Sequence, residues 1–112
     1  MADSMQYHHV TLKPKADRLE ETRKLLLQCA VQVLAHKPKG PLTWCASFDE
    51  ENQVFLVEAL FPNQEAVAFH QNNINAQLRA FSTCMAAPPE TVQHEVFLSV
   101  RGSSRPASLS TN

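Results

Sequence analysis

Val54-Phe55-Leu56-Val57-Glu58-Ala59-Leu60-Phe61 is a run of β-forming residues interrupted by a single charge, Glu58. Pro62 stops it, and Asn63 is the expected N-cap of a helix whose first turn carries Glu65, favoured there by the helix dipole. Upstream, Asp49-Glu50-Glu51-Asn52 joins the run to another strand at 42–48, which makes a β-hairpin. Before the hairpin, Pro38 and Gly40-Pro41 close a long amphipathic helix with Leu19, Thr22, Leu26, Cys29, Ala30, Val33 and Leu34 on its apolar side; Asp17 is its expected N-cap. A first strand at 5–12 ends at Pro14, which has no N–H to give a ladder.

Beyond Asn63, Ala66, Phe69, His70 and Asn73 share one stripe of the second helix. Gln71-Asn72-Asn73 marks a kink before Ile74, Leu78, Phe81 and Met85 resume the apolar face. Pro88-Pro89 ends the helix, and a last strand is expected at 91–100, with Val92, Val96, Leu98 and Val100 on one side. The order β-α-β-β-α-β predicts an α+β, ferredoxin-like, four-stranded antiparallel sheet in spatial order 4-1-3-2, with both helices on one face. The domain is expected over 1–101, followed by a disordered tail at 102–112 that carries little apolar surface.

The 112 residues suit one domain with a core of its own. Ten Lys+Arg against 11 Asp+Glu, a formal net charge of −1, argues against a nucleic-acid binder. Cys29, Cys45 and Cys84 are odd in number and widely spaced, which speaks against a disulfide framework or zinc site and for a reduced, cytoplasmic setting. The N-terminus has no secretory signal, and no apolar run reaches membrane-spanning length; no membrane partner is expected.

The run at 54–61 is apolar on both faces. Phe55, Val57, Ala59 and Phe61 line one; Val54, Leu56 and Leu60 line the other, beside Glu58. Helices on one side leave the second apolar face open, and a second subunit is the expected cover. A homodimer follows as an expectation.

Glu58 is costly to bury unless it is paired or protonated, so it is either an ion-pair partner or a chemical group. His70 shares a helical face with Ala66 and is either a packing residue or a general base. His8 and His9 leave opposite faces of their strand and cannot chelate one ion; with no H-x-H or H-E-x-x-H spacing, no metal is expected. Trp44 is either core or an aromatic wall for a flat ligand. No phosphate loop, nucleophile elbow, flavin or nicotinamide fingerprint occurs, so no cofactor is expected.

The stretch from Val57 through Glu58 to Ala66 and His70 resembles the antibiotic biosynthesis monooxygenase (quinol monooxygenase-like) family, whose members pair a strand-three glutamate with Ala-x-x-x-His on the next helix. Gly40 followed by Trp44, and Val10-Thr11-Leu12-Lys13-Pro14-Lys15, resemble the start of that family's second strand and its first strand. The resemblance implies a dimeric α+β barrel with a pocket between sheet and helices in each subunit. It also implies oxidation of an electron-rich phenol, quinol or anthrone by O₂ without metal or flavin. Leu60 stands where the family often has Trp or Tyr, and His70 stands where the haem-degrading branch has Trp, which disfavours haem degradation.

On this reading His70, or a strand-one histidine such as His9, removes a phenolic proton while Glu58 orients the base. Trp44, Phe69 and Asn73 form the candidate substrate-binding set. The alternative is a non-enzymatic dimeric module for a small ligand, or a stress-response protein.

Overall fold

A computed structural model of the chain describes residues 4–100; the expected tail at 102–112 lies outside them. Four strands, β1 (Gln6–Leu12), β2 (Thr43–Asp49), β3 (Val54–Phe61) and β4 (Glu90–Glu95), form one antiparallel sheet in the order β2-β3-β1-β4. That is the expected ferredoxin-like arrangement. Three helices complete it: α1 (Leu19–Ala35), α2 (Gln64–Asn73) and α3 (Asn75–Phe81).

Register fixes the two faces. His8 lies opposite Ala59, Val10 opposite Val57 and Leu12 opposite Phe55, while Trp44 and Phe48 meet Ala59 and Phe55 from β2. These residues share the helix-covered face, and the core of Leu12, Leu26, Cys29, Phe55, Ile74, Phe81, Cys84 and Met85 grows on it. A smaller cluster, Ala59, Phe61, Ala66 and Val67, sits beside it, and Trp44 packs against both. Thr22 belongs to the apolar stripe of α1 despite its hydroxyl, which donates to the Arg18 carbonyl at 2.8 Å and so is buried satisfied.

Three boundaries depart from expectation. Asp17 does not cap α1: a 3₁₀ turn at Ala16–Arg18 precedes the helix, Arg18 is its cap residue, and no side chain bonds the first turn. The second helical segment is two helices meeting at Ile74, so the polar 71–73 stretch breaks the helix rather than bending it. The last strand ends at Glu95, not at residue 100. Glu95 already pairs with Gln6, the first residue of β1, and the Val96 N–H bonding the Met5 carbonyl at 2.8 Å is the last ladder contact. With no partner strand beyond among the described residues, Phe97 and Val100 stand 98% and 92% exposed.

Asn63 caps α2 as expected, its Oδ1 accepting from the Ala66 N–H at 2.9 Å, with Glu65 in the first turn. The hairpin closes through Asp49, whose two oxygens accept from the Asn52 backbone and side-chain amides at 3.2 and 2.8 Å. Gln53 leaves the turn at φ 57°, in the left-handed region. No helix among the described residues is long and apolar enough to cross a membrane.

Candidate functional site

The helices cover the β2-β3-β1 part of the sheet, while β4 is exposed along its whole length. Between α1, α2, α3 and the sheet lies a cavity of about 260 Å³. Its floor is the helix-facing side of β1 and β3, with His8, Val10, Val57, Ala59 and Phe61; Trp44 of β2 walls one side. Helices α1 and α2 contribute Leu26, Cys29, Val67 and His70. Exposed Gln71, Leu78, Thr91 and Gln93 form the rim towards β4. Among the described residues that line it there is no Asp, Glu, Lys or Arg.

Two imidazoles are its main polar groups. His70, 8% exposed, projects from α2 one turn after Ala66, and its ring meets Phe61 at 5.3 Å between centroids. Its Nδ1 is shut off from solvent and bonds no protein group. Burial, with a smaller contribution from the charge of His8, pushes the His70 pKa down to about 4, so the ring is neutral near pH 7. With no protein group fixing its tautomer, that ring can accept from a hydroxyl or donate to an oxyanion.

His8 packs on Phe61 from β1 at 4.9 Å and is only partly buried; burial lowers its pKa as well. Its Nε2 lies 3.3 Å from Gln6 Oε1, and the Gln6 amide donates to Gln64 Oε1 at 2.8 Å. With its proton on Nε2, His8 donates to that amide oxygen and keeps a lone pair on Nδ1. Cys29 contributes a thiol whose pKa burial pushes up to about 11, so it lines the cavity as a neutral, apolar group.

The structure brings together only part of the sequence-derived set. His70 and Trp44 line the cavity. His9 and Glu58 do not: they are register partners on the opposite face of the sheet, so Glu58 and His70 do not approach one pocket. Glu58 is exposed, accepts from the Tyr7 hydroxyl at 3.2 Å, and forms no ion pair among the described residues. In the single chain its charge stands in solvent, because period-two alternation places it on the face the helices leave open. Phe69 packs outside the cavity against the loop after α1, 5.8 Å from the His36 ring and 5.8 Å from Lys39 Nζ. Asn73 ties α2 to α1 by donating to the Gln32 carbonyl at 3.1 Å. His8 is the residue the sequence reading passed over. Counting back by twos from Leu12, the core-facing end of β1, reaches His8 and not His9.

A four-stranded antiparallel ferredoxin-like sheet with its helices on one face defines the structural class. Solved structures share it across nearly their full length. A Caulobacter crescentus protein named a putative antibiotic biosynthesis monooxygenase has a TM-score of 0.76 and 24% identity, covering 85% of this chain and 92% of that one. A protein of the same name from Bacteroides thetaiotaomicron has a TM-score of 0.77 and 13% identity, covering 92% and 99%. A Mycobacterium tuberculosis protein reaches a TM-score of 0.79 at 11% identity, covering 88% and 100%. At these identities the likeness shows the fold. No family model matches the chain, and no curated protein does.

Proposed function

We propose that the chain is a monooxygenase-like protein that oxidises an uncharged, electron-rich aromatic, a phenol, quinol or anthrone, with O₂ and without metal or flavin. The observation that carries this reading is the neutral, largely buried His70 ring in the wall of an apolar cavity with no charged lining among the described residues. A hydroxylated ring bound in that cavity would find the imidazole as its hydrogen-bonding partner. The apolar walls suit a flat ring, Trp44 offers an aromatic surface, and absence of charge among the lining residues disfavours carboxylates and phosphates.

Once its phenolic proton is removed, such a ring is electron-rich enough to reduce O₂ itself. One oxygen atom enters the product ring as a carbonyl or hydroxyl, the other leaves as water, and the substrate supplies the electrons. The apolar walls leave the anion less water than bulk solvent does and strengthen each hydrogen bond to it. On this reading Glu58 and His9 lie outside the reaction site. Their face, with Val54, Leu56, Leu60, Tyr7 and Val92, is the surface through which two copies pair, and the three free thiols suit a cytoplasmic setting.

Oxygen-electrode traces with a panel of quinols and anthrones, in chelator and without added flavin, test the reading. Saturable uptake above the uncatalysed blank is expected. The low basicity of His70 favours one other reading, a binding module without turnover; tight anaerobic binding of the panel with no oxygen uptake would establish that instead.

A further inference from the structure

We infer that the two histidines of the cavity divide the chemistry: His8 takes the proton of the bound hydroxyl through Nδ1, and His70 stays neutral and hydrogen-bonds the ligand. The inference rests on the cavity binding a hydroxylated aromatic, and it names the base that such a site needs. Geometry carries it. Both rings pack on the buried Phe61 and both line the cavity, so a ligand in it lies beside both imidazoles. His8 suits the role because, with its proton on Nε2 where Gln6 Oε1 can accept it, a lone pair stays on Nδ1. It is also the less buried ring, on β1 beside rim residue Gln93, where an imidazolium keeps contact with water. His70 has neither advantage: no protein group fixes its tautomer, and it lies where a cation loses most of its hydration. Its depressed pKa points the same way, since a ring protonated only near pH 4 competes poorly for a phenolic proton.

The titratable groups around His8 are few. His70 faces it from α2 and Cys29 from α1 across the cavity, β3 opposes it with Ala59 and Phe61, and β4 brings Gln93 with Glu95 one step along the same face. Burial lowers the His8 pKa, and the charge of the bound phenolate is what favours the imidazolium in the complex.

The test needs no turnover. 4-Nitrophenol, whose phenolate absorbs in the visible, is titrated anaerobically into wild type, His8→Gln and His70→Gln across pH 5–8. In wild type and His70→Gln the bound probe should ionise at least about one pH unit lower than in His8→Gln, a tenfold change in the proton equilibrium. His70→Gln should instead weaken binding of the probe. Histidine ¹⁵N resonances of the wild-type complex give a second readout that no variant can confound: His8 should become doubly protonated and His70 remain neutral. An unchanged probe pKa in His8→Gln, or an imidazolium at His70, would overturn the inference. Failure of the wild type to bind the probe would overturn it together with the reading it rests on. Proton transfer to His8 without oxygen uptake on any quinol would leave the inference standing and defeat only the oxidation.

Discussion

A histidine buried as a neutral ring makes stability depend on pH, and the sign is fixed by where it titrates. The unfolded ring takes up a proton near pH 6.5, the folded one only near 4, chiefly because burial removes the hydration of the cation. Above 6.5 the ring is neutral in both states and its contribution is complete. Between 6.5 and about 4 only the unfolded chain binds the proton, so stability falls as pH falls, and below that the loss levels off. The span corresponds to about 3 kcal/mol. Urea unfolding at pH 7, 6, 5 and 4 should show this loss in wild type and a flatter profile in His70→Leu; parallel profiles would contradict it. At this scale His70 was legible from its spacing to Ala66, and Trp44 from its strand. Glu58 and His9 stand outside the cavity because alternation puts both on the face the helices leave open. Alternation carried on from Leu12 and Phe55 assigns the packed side and puts His8 there instead.

Among the elements, α2 matters most, since its first turn fixes the height at which His70 enters the cavity. Asn63→Ala removes the bond to the Ala66 N–H and should cost about 1 kcal/mol, a fall in Tm of about 4 °C, readable by calorimetry. Asn63→Asp should retain most of that stability. Gln53 offers the opposite lever: at φ 57° a glycine is unstrained, so Gln53→Gly should be neutral or raise stability, by up to about 1 kcal/mol, less what the Gln53 Nε2 bond to the Glu50 carbonyl contributes. The hairpin, the Asn63 cap and all four strands were readable because each is written in local chemistry: turn residues, a capping amide, alternation. The end of β4 was not. Leu98 and Val100 keep strand-like alternation after Val96, but β1 begins at Gln6 and among the described residues offers them no partner strand, which is a fact about another segment. Asp17 failed as a cap for a similar reason, because a 3₁₀ turn moved the helix start past it.

For the whole molecule, one face of the sheet is closed by helices and the other carries Val54, Leu56 and Leu60 around a polar row of Cys45, Glu58 and His9. Pairing of two such faces should bury more than about 1,000 Å². Light scattering should give twice the chain mass, and Leu56→Glu should return the monomer, since two facing carboxylates would lose their hydration together. A monomer at micromolar concentration in wild type would refute the pairing. The central claim is that the chamber between sheet and helices, with His70 in it, carries the chemistry, and oxygen consumption tests it most directly. With the best quinol or anthrone of the panel, in chelator and without flavin, wild type should consume one O₂ per substrate with saturation, and His70→Ala should lose about 10²-fold or more in rate. Equal rates in wild type and His70→Ala, in a folded variant, would contradict it.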